Sequence, residues 1–117
     1  MKTSDLELIK DAAKAAGLPI LSVEETHLNI RSEGSKSGYR WNPLYDDGDA
    51  FTLLVRLELT FDFEAGLATV TNPTGKIFHF SASDTTRGDR SEAARRAITE
   101  AAAAFGKEYG SYYISLP

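Results

Sequence analysis

The sequence predicts an α+β domain in which a mostly antiparallel sheet of about four strands is sandwiched by two to three helices, a three-layer alpha-beta-alpha arrangement. Two observations predict this class: stretches with apolar residues at helical spacing alternate with strand-like runs, and consecutive strand-like runs are joined by short turns. The chain has 117 residues, of which 42% are hydrophobic, enough for one core. Residues 1–117 are therefore treated as one domain.

The N-terminal third predicts a helix followed by extended chain. Ser4 and Glu7 have the spacing of a capping box, and helical periodicity predicts a helix over residues 5–16. Apolar residues over 20–30 fit one strand, although four polar residues interrupt it. Residues 32–40 contain Gly and Ser without periodicity, which is typical of an exposed loop or a hairpin connection.

The stretch "WNPLYDDGDAF" begins with Trp41, the only tryptophan, and contains Asp46, Asp47 and Asp49. Helical spacing predicts a second helix over residues 48–58, and aspartates at a helix start cap it and complement its dipole. We interpret the cluster as this helix start and Trp41 as a buried anchor. The alternative is a magnesium site, since the spacing does not match a calcium loop of the EF-hand type.

Alternation of polar and apolar residues predicts an antiparallel meander after the second helix. Asp62 and Glu64 share one face, which we expect to be solvated. Phe78 and Phe80 flank His79, which favours helices on both faces of the sheet. The predicted strands are residues 59–64, 67–71 and 76–81.

The C-terminal part predicts an alanine-rich helix. Asp89 and Glu92 mark its start, and Gly106 lies near its end. The tail "YGSYYISLP" is apolar, so we expect it to pack as an edge strand or to contact a partner. An exposed strand edge would also allow a homodimer.

The residue types that support catalysis are sparse. There is no cysteine, and the two histidines, His27 and His79, lie on different predicted strands without the spacing of a triad or a metal pair. No phosphate-binding loop or nucleophile elbow occurs. We therefore expect no enzymatic activity, no catalytic residue, no metal and no cofactor.

Charge and hydropathy further limit the function. A net charge of −4 argues against direct nucleic-acid binding, and no apolar run could span a membrane. A soluble, cytoplasmic protein in a bacterial host cell is expected. The one basic concentration surrounds the start of the last helix; it forms either a solvated helix face or, in an alternative function, a phosphate site built from Arg87, Arg90 and Arg95.

At "WNPLYDDGDAFTLLVRL" and "RAITEAAAAFGK" the sequence resembles small phage and prophage proteins of the phage alpha-beta-alpha sandwich domain type. The resemblance covers about residues 38–107 and implies a three-layer fold with a central antiparallel sheet. It brings no catalytic residues. The matching positions are Trp41, Asn42, Pro43, Asp46, Asp47, Asp49 and Ala50.

The resemblance also implies a context, because small acidic phage proteins without enzymatic motifs often bind host macromolecules. The leading hypothesis is a non-enzymatic phage accessory protein that binds and inhibits a host protein complex, such as a CRISPR effector, in the manner of anti-CRISPR proteins. The alternative is a small-molecule or nucleotide-binding regulatory module. The predicted partner-binding residues are Asp46, Asp47, Asp49, Asp62, Glu64, Tyr109, Tyr112 and Tyr113.

Overall fold

A computed structural model describes residues 1–32 and 34–110 of the chain. These residues form an α+β fold, as the sequence predicts. In the described part of the chain, no helix is both long and apolar enough to cross a membrane. In chain order the elements are α1 (Thr3–Ala15), β1 (Ile20–Val23), β2 (Leu28–Arg31), β3 (Gly38–Trp41), α2 (Asp47–Arg56), β4 (Thr60–Glu64), β5 (Leu67–Thr71), β6 (Ile77–Ser81) and α3 (Arg90–Tyr109).

The first sheet has the order β1-β2-β3 and is antiparallel throughout. The single strand predicted over residues 20–30 is wrong, because the chain turns back where the N–H of Glu24 donates to the carbonyl of His27 at 2.9 Å. The predicted loop over 32–40 is a hairpin connection that already includes most of β3. Leu28 lies opposite Trp41 in the register, and both side chains are buried.

The second sheet has the order β4-β5-β6 and is the predicted antiparallel meander. Its first turn has Ala65 and Gly66 with φ of 51° and 81°, the pair of positive values that a two-residue type I′ turn requires. Asn72 organises the second turn, where its side-chain oxygen accepts the N–H groups of Thr74 and Lys76.

The predicted strand number and layering differ from the structure. The described residues form two three-stranded sheets instead of one sheet of about four strands. On the β4–β6 sheet, Ala68 and Val70 are buried on the face against which α3 packs. The opposite face is open within residues 1–32 and 34–110, so the expectation of helices on both faces is not met for this sheet.

Helix α3 is the centre of the fold, since α1, α2 and the second sheet all pack against it. It starts as predicted, with the carboxylate of Asp89 accepting the N–H of Glu92 at 2.6 Å. The predicted Ser4 cap on α1 is wrong, because that helix begins at Thr3 and its N-cap residue, Lys2, makes no side-chain cap. Small residues let α1 and α3 approach closely, and a Cβ atom on Gly106 would lie 2.5 Å from the Asp11 carbonyl oxygen.

Candidate functional site

The turn between β3 and α2 is organised by the buried side chain of Asn42. Its amide nitrogen donates to the Thr26 carbonyl at 2.7 Å, and its amide oxygen accepts the N–H of Leu44 at 3.0 Å. Asp46 then caps α2, because its carboxylate accepts the N–H of Asp49 at 2.9 Å. The helix-start interpretation of the aspartate cluster is thereby confirmed for Asp46.

Asp47 forms an ion pair with a residue of another helix. Its carboxylate oxygen Oδ1 lies 2.7 Å from Nη1 of Arg95, a residue of α3 that is only 5% exposed. The same guanidinium donates from Nε to the carbonyl of Leu44 at 2.9 Å. Arg95 therefore joins α3 to the start of α2, and Asp47 neutralises its charge.

Asp49 is half-buried and accepts the N–H of Asn42 at 2.8 Å. Burial raises the pKa of the Asp49 carboxyl above its usual range, an effect that the Asn42 N–H opposes and the charge of Asp46 reinforces. Each of the three aspartates thus has a structural partner within the chain. Among the described residues, no three His, Asp or Glu side chains are arranged to hold one metal ion, so the magnesium alternative gains no support.

A double-mutant cycle would test the coupling between Asp47 and Arg95. Asp47→Ala is expected to lower the free energy of unfolding by about 1–3 kcal/mol, because it leaves a buried guanidinium without its counter-ion. In an Arg95→Met background the same change should cost about 0.5 kcal/mol or less, since Asp47 then faces only solvent and the helix dipole. Urea unfolding of the four proteins measures both values, and equal costs in the two backgrounds would contradict the coupling.

Asp62 and Glu64 have a different environment from the aspartate cluster. Both side chains are exposed on β4, and within the described part of the chain neither forms a hydrogen bond or an ion pair. The register places Asp62, Thr69 and His79 in one row across the sheet. Residues directly opposite each other point to the same face, so these carboxylates belong to the open face of the β4–β6 sheet.

We call this surface the acidic face. His79 is exposed on it, and the face carries two carboxylates without a lysine or arginine among its residues, all of which the structure describes. The acidic face consists of Thr60, Asp62, Glu64, Leu67, Thr69, Thr71, Ile77, His79 and Ser81.

The predicted tyrosine contacts are only partly described. Tyr109 ends α3 with 50% of its surface exposed, and its ring centroid lies 5.1 Å from that of Phe105. Tyr112 and Tyr113 lie outside the described residues, as does most of the tail predicted to form an edge strand. Among the predicted partner-binding residues that the structure describes, the aspartates lie at the start of α2, Asp62 and Glu64 lie on β4, and Tyr109 ends α3.

Of the three arginines of the phosphate alternative, Arg87 and Arg95 line one small cavity of about 70 Å³, and Arg90 is not among its lining residues. Arg95 is buried and Arg90 is exposed. Nε of Arg87 lies 3.4 Å from Oδ2 of Asp89 and 3.5 Å from Oε2 of Glu92. The Glu92 carboxylate also accepts the backbone N–H of Arg87 at 2.9 Å. A carboxylate of the chain itself therefore occupies the place where this alternative needs a phosphate.

A cleft of about 460 Å³ lies beside the aspartate cluster. Tyr45, with 69% of its surface exposed, and Arg40 line it together with Asp46 and Asp49. None of the three arginines of the phosphate alternative is among the lining residues of this cleft. The lining of this cleft therefore carries both signs of charge, with Asp46 and Asp49 beside Arg40.

Two features of the site were not predicted from the sequence. The contact between Arg95 and Asp47 joins residues 48 positions apart and has no local signal. The alternation that predicts the meander places Phe61 and Phe63 on the side of the strand opposite the solvated one, yet Phe61 is 38% exposed and the two rings stack with centroids 6.3 Å apart. The only signal for this exposure was the position of β4 as the first strand of a meander, which can leave it at a sheet edge.

Comparison of the chain with protein-family models, curated proteins and solved structures found no match. The resemblance to phage proteins over residues 38–107 therefore stays a prediction from the sequence.

Proposed function

We propose that this protein is a non-enzymatic binding protein whose acidic face occupies a basic surface of a partner macromolecular complex. The observation that carries the proposal is the division among the carboxylates. Those at the start of α2 have partners inside the fold, whereas Asp62 and Glu64 project from an open sheet without a compensating cation among the described residues. Carboxylates without internal partners are free to pair with Lys or Arg of another molecule.

The acidic face has properties suited to recognition of a basic surface. A face lined by one sign of charge attracts opposite charges during diffusion and accelerates association, in keeping with the net charge of −4. Leu67 and Ile77 are 40% and 61% exposed on the same face and would add apolar contact area once water is excluded. The paired strands β4, β5 and β6 already hold the backbone behind them, so little backbone entropy is lost on binding.

The sequence resemblance to small phage proteins supports a more specific version of the proposal. In this version the partner is a complex of the bacterial host, such as a CRISPR effector, and the protein inhibits it. Nucleic-acid channels are lined by Lys and Arg that bind phosphates. Carboxylates held at strand spacing would compete with phosphates for those cations, and so block the channel without catalysis.

Charge reversal on the acidic face tests this function. We would use tagged wild-type protein and an Asp62→Lys/Glu64→Lys variant to capture partners from bacterial lysates that contain defence complexes, with quantitation by mass spectrometry. Recovery of the wild-type partner is expected to fall about tenfold or more in the variant, because attractive charge pairs become repulsive. Higher salt should weaken the wild-type interaction.

The matched control is Glu24→Lys/Glu25→Lys. It changes the net charge by the same amount at two exposed carboxylates of the β1–β2 turn. The control should retain the partner. If both variants lose it equally, net charge alone governs binding; if neither does, the acidic face is not the contact surface, and the proposal fails in either case.

A further inference from the structure

Strand β4 forms one edge of the second sheet. Its neighbour in the sheet is β5, and within residues 1–32 and 34–110 no backbone group outside that pairing bonds to it. The strand has five residues and is largely exposed, with Asp62 and Glu64 on the acidic face and Phe61 and Phe63 on the other face. Such an edge can accept an added strand from another molecule.

The turn that follows β4 determines which backbone groups point outward. In a type I′ turn the carbonyl of the first residue accepts the N–H of the fourth, so Glu64 and Leu67 form a hydrogen-bonded pair. Hydrogen-bonded and non-hydrogen-bonded pairs alternate along an antiparallel ladder. Asp62 therefore also bonds to β5, whereas Phe61 and Phe63 direct their N–H and C=O groups away from the sheet.

The side chains of β4 then determine what kind of strand fits. In an added antiparallel strand, residues opposite Asp62 and Glu64 would form non-hydrogen-bonded pairs, in which side chains are closest. Basic residues there would meet the carboxylates directly. Residues opposite Phe61 and Phe63 would meet stacked, partly exposed aromatic rings, which favour apolar partners.

Charge disfavours a second copy of the chain in the two symmetric registers that place Asp62 opposite a carboxylate. In a symmetric antiparallel pairing of β4 with itself centred on Asp62, the two Asp62 carboxylates lie opposite each other. Centring on Phe63 places Asp62 opposite Glu64 of the other copy. Like charges directly opposite each other destabilise a strand pair, so the carboxylates oppose self-association in these two registers and favour a basic strand.

We propose that β4 binds an extended segment of the partner as an added antiparallel strand, in which Lys or Arg alternate with apolar residues. This inference rests on the proposed function, since it identifies the part of a basic partner that the acidic face and its edge recognise. Main-chain hydrogen bonds to Phe61 and Phe63 supply affinity. Asp62 and Glu64 select the charge of the strand.

The test uses the full chain labelled with ¹⁵N and synthetic peptides of about seven residues, a usual strand length. The first peptide alternates Lys and Val. Two further peptides have the same sequence with N-methylated amides: the second peptide is methylated on its valine amides and the third on its lysine amides. In the proposed register, the valine N–H groups point toward Phe61 and Phe63, while the lysine N–H groups point away from β4.

The unmodified and lysine-methylated peptides are expected to bind, and the valine-methylated peptide is expected to lose affinity about tenfold or more, because it lacks the donors that β4 needs. Saturation with a binding peptide should slow hydrogen exchange of the Phe61 and Phe63 amides about tenfold or more. The Asp62 amide, already bonded to β5, should change much less. A peptide alternating Glu and Val should bind only the Asp62→Lys/Glu64→Lys variant.

The outcomes separate this inference from the function on which it rests. One outcome is that both methylated peptides bind equally and change the chemical shifts of Asp62 and Glu64, without slower hydrogen exchange at Phe61 and Phe63. Strand addition is then wrong, but recognition of basic groups by the acidic face stands. If no basic peptide shifts the resonances of the acidic face, strand addition is overturned. The proposed function is overturned as well if the Asp62→Lys/Glu64→Lys variant still retains the partner in the lysate capture.

Discussion

Replacing Trp41 with alanine is expected to lower the free energy of unfolding by about 3–5 kcal/mol, the largest effect of any single change considered for this chain. The side chain is only 1% exposed and lies opposite Leu28 in the first sheet. Its removal would leave a cavity where the sheet meets the core. Since small domains are stable by about 5–15 kcal/mol, this loss is a large share of the total stability.

Urea unfolding followed by circular dichroism measures the Trp41→Ala effect without depending on the lost fluorophore. The matched control is Tyr45→Ala, which removes an aromatic ring from the same segment but at a position that is 69% exposed. The control should change the unfolding free energy by about 0.5 kcal/mol or less. Similar losses in the two variants would show that Trp41 is not the anchor of this segment.

Gly106→Ala is expected to destabilise the protein by about 1–3 kcal/mol through overpacking. At an unconstrained interior helix position the same change stabilises by about 0.5–1 kcal/mol, so the sign of the effect is diagnostic. The new Cβ atom would lie 2.5 Å from the Asp11 carbonyl oxygen and 3.0 Å from the Ala15 Cβ. Both contacts involve backbone or short side chains of α1, which can relieve the clash only if the whole helix moves.

Thermal and urea unfolding of Gly106→Ala should be compared with Lys107→Ala, an exposed substitution one position further along α3. The Lys107 variant should remain within about 0.5 kcal/mol of wild type. A stabilised Gly106 variant would mean that α1 and α3 are farther apart than the structure shows.

Most of the local structure was predictable because its causes lie within a few residues of one another. Periodicity indicated the three helices, and the alternation around Phe61 together with the turn residues predicted the β4–β6 meander. The role of Asp46 as a helix cap and the burial of Trp41 were also predicted, and the structure confirms both. These signals act over a single helical turn or strand pair, so they can be recognised in the sequence without knowledge of the tertiary structure.

The first sheet was not predicted correctly, because its signals are weak locally. The strands β1 and β2 have four residues each, and the polar residues between them resembled an irregular strand rather than a turn. In β3 only Trp41 is buried. Its pairing with β2 is decided by the burial of Leu28 and Trp41 in the common core, which is a tertiary effect.

The sequence by itself determined the α+β class, the helices, the meander and the placement of carboxylates at the start of α2 and on β4. Only the tertiary structure decided that Asp47 has a partner within the fold, because it meets Arg95 across 48 positions, whereas the side chains of Asp62 and Glu64 meet none among the described residues. Carboxylates differ in availability here, because those at the start of α2 have partners within the fold, whereas Asp62 and Glu64 lie on an open sheet face.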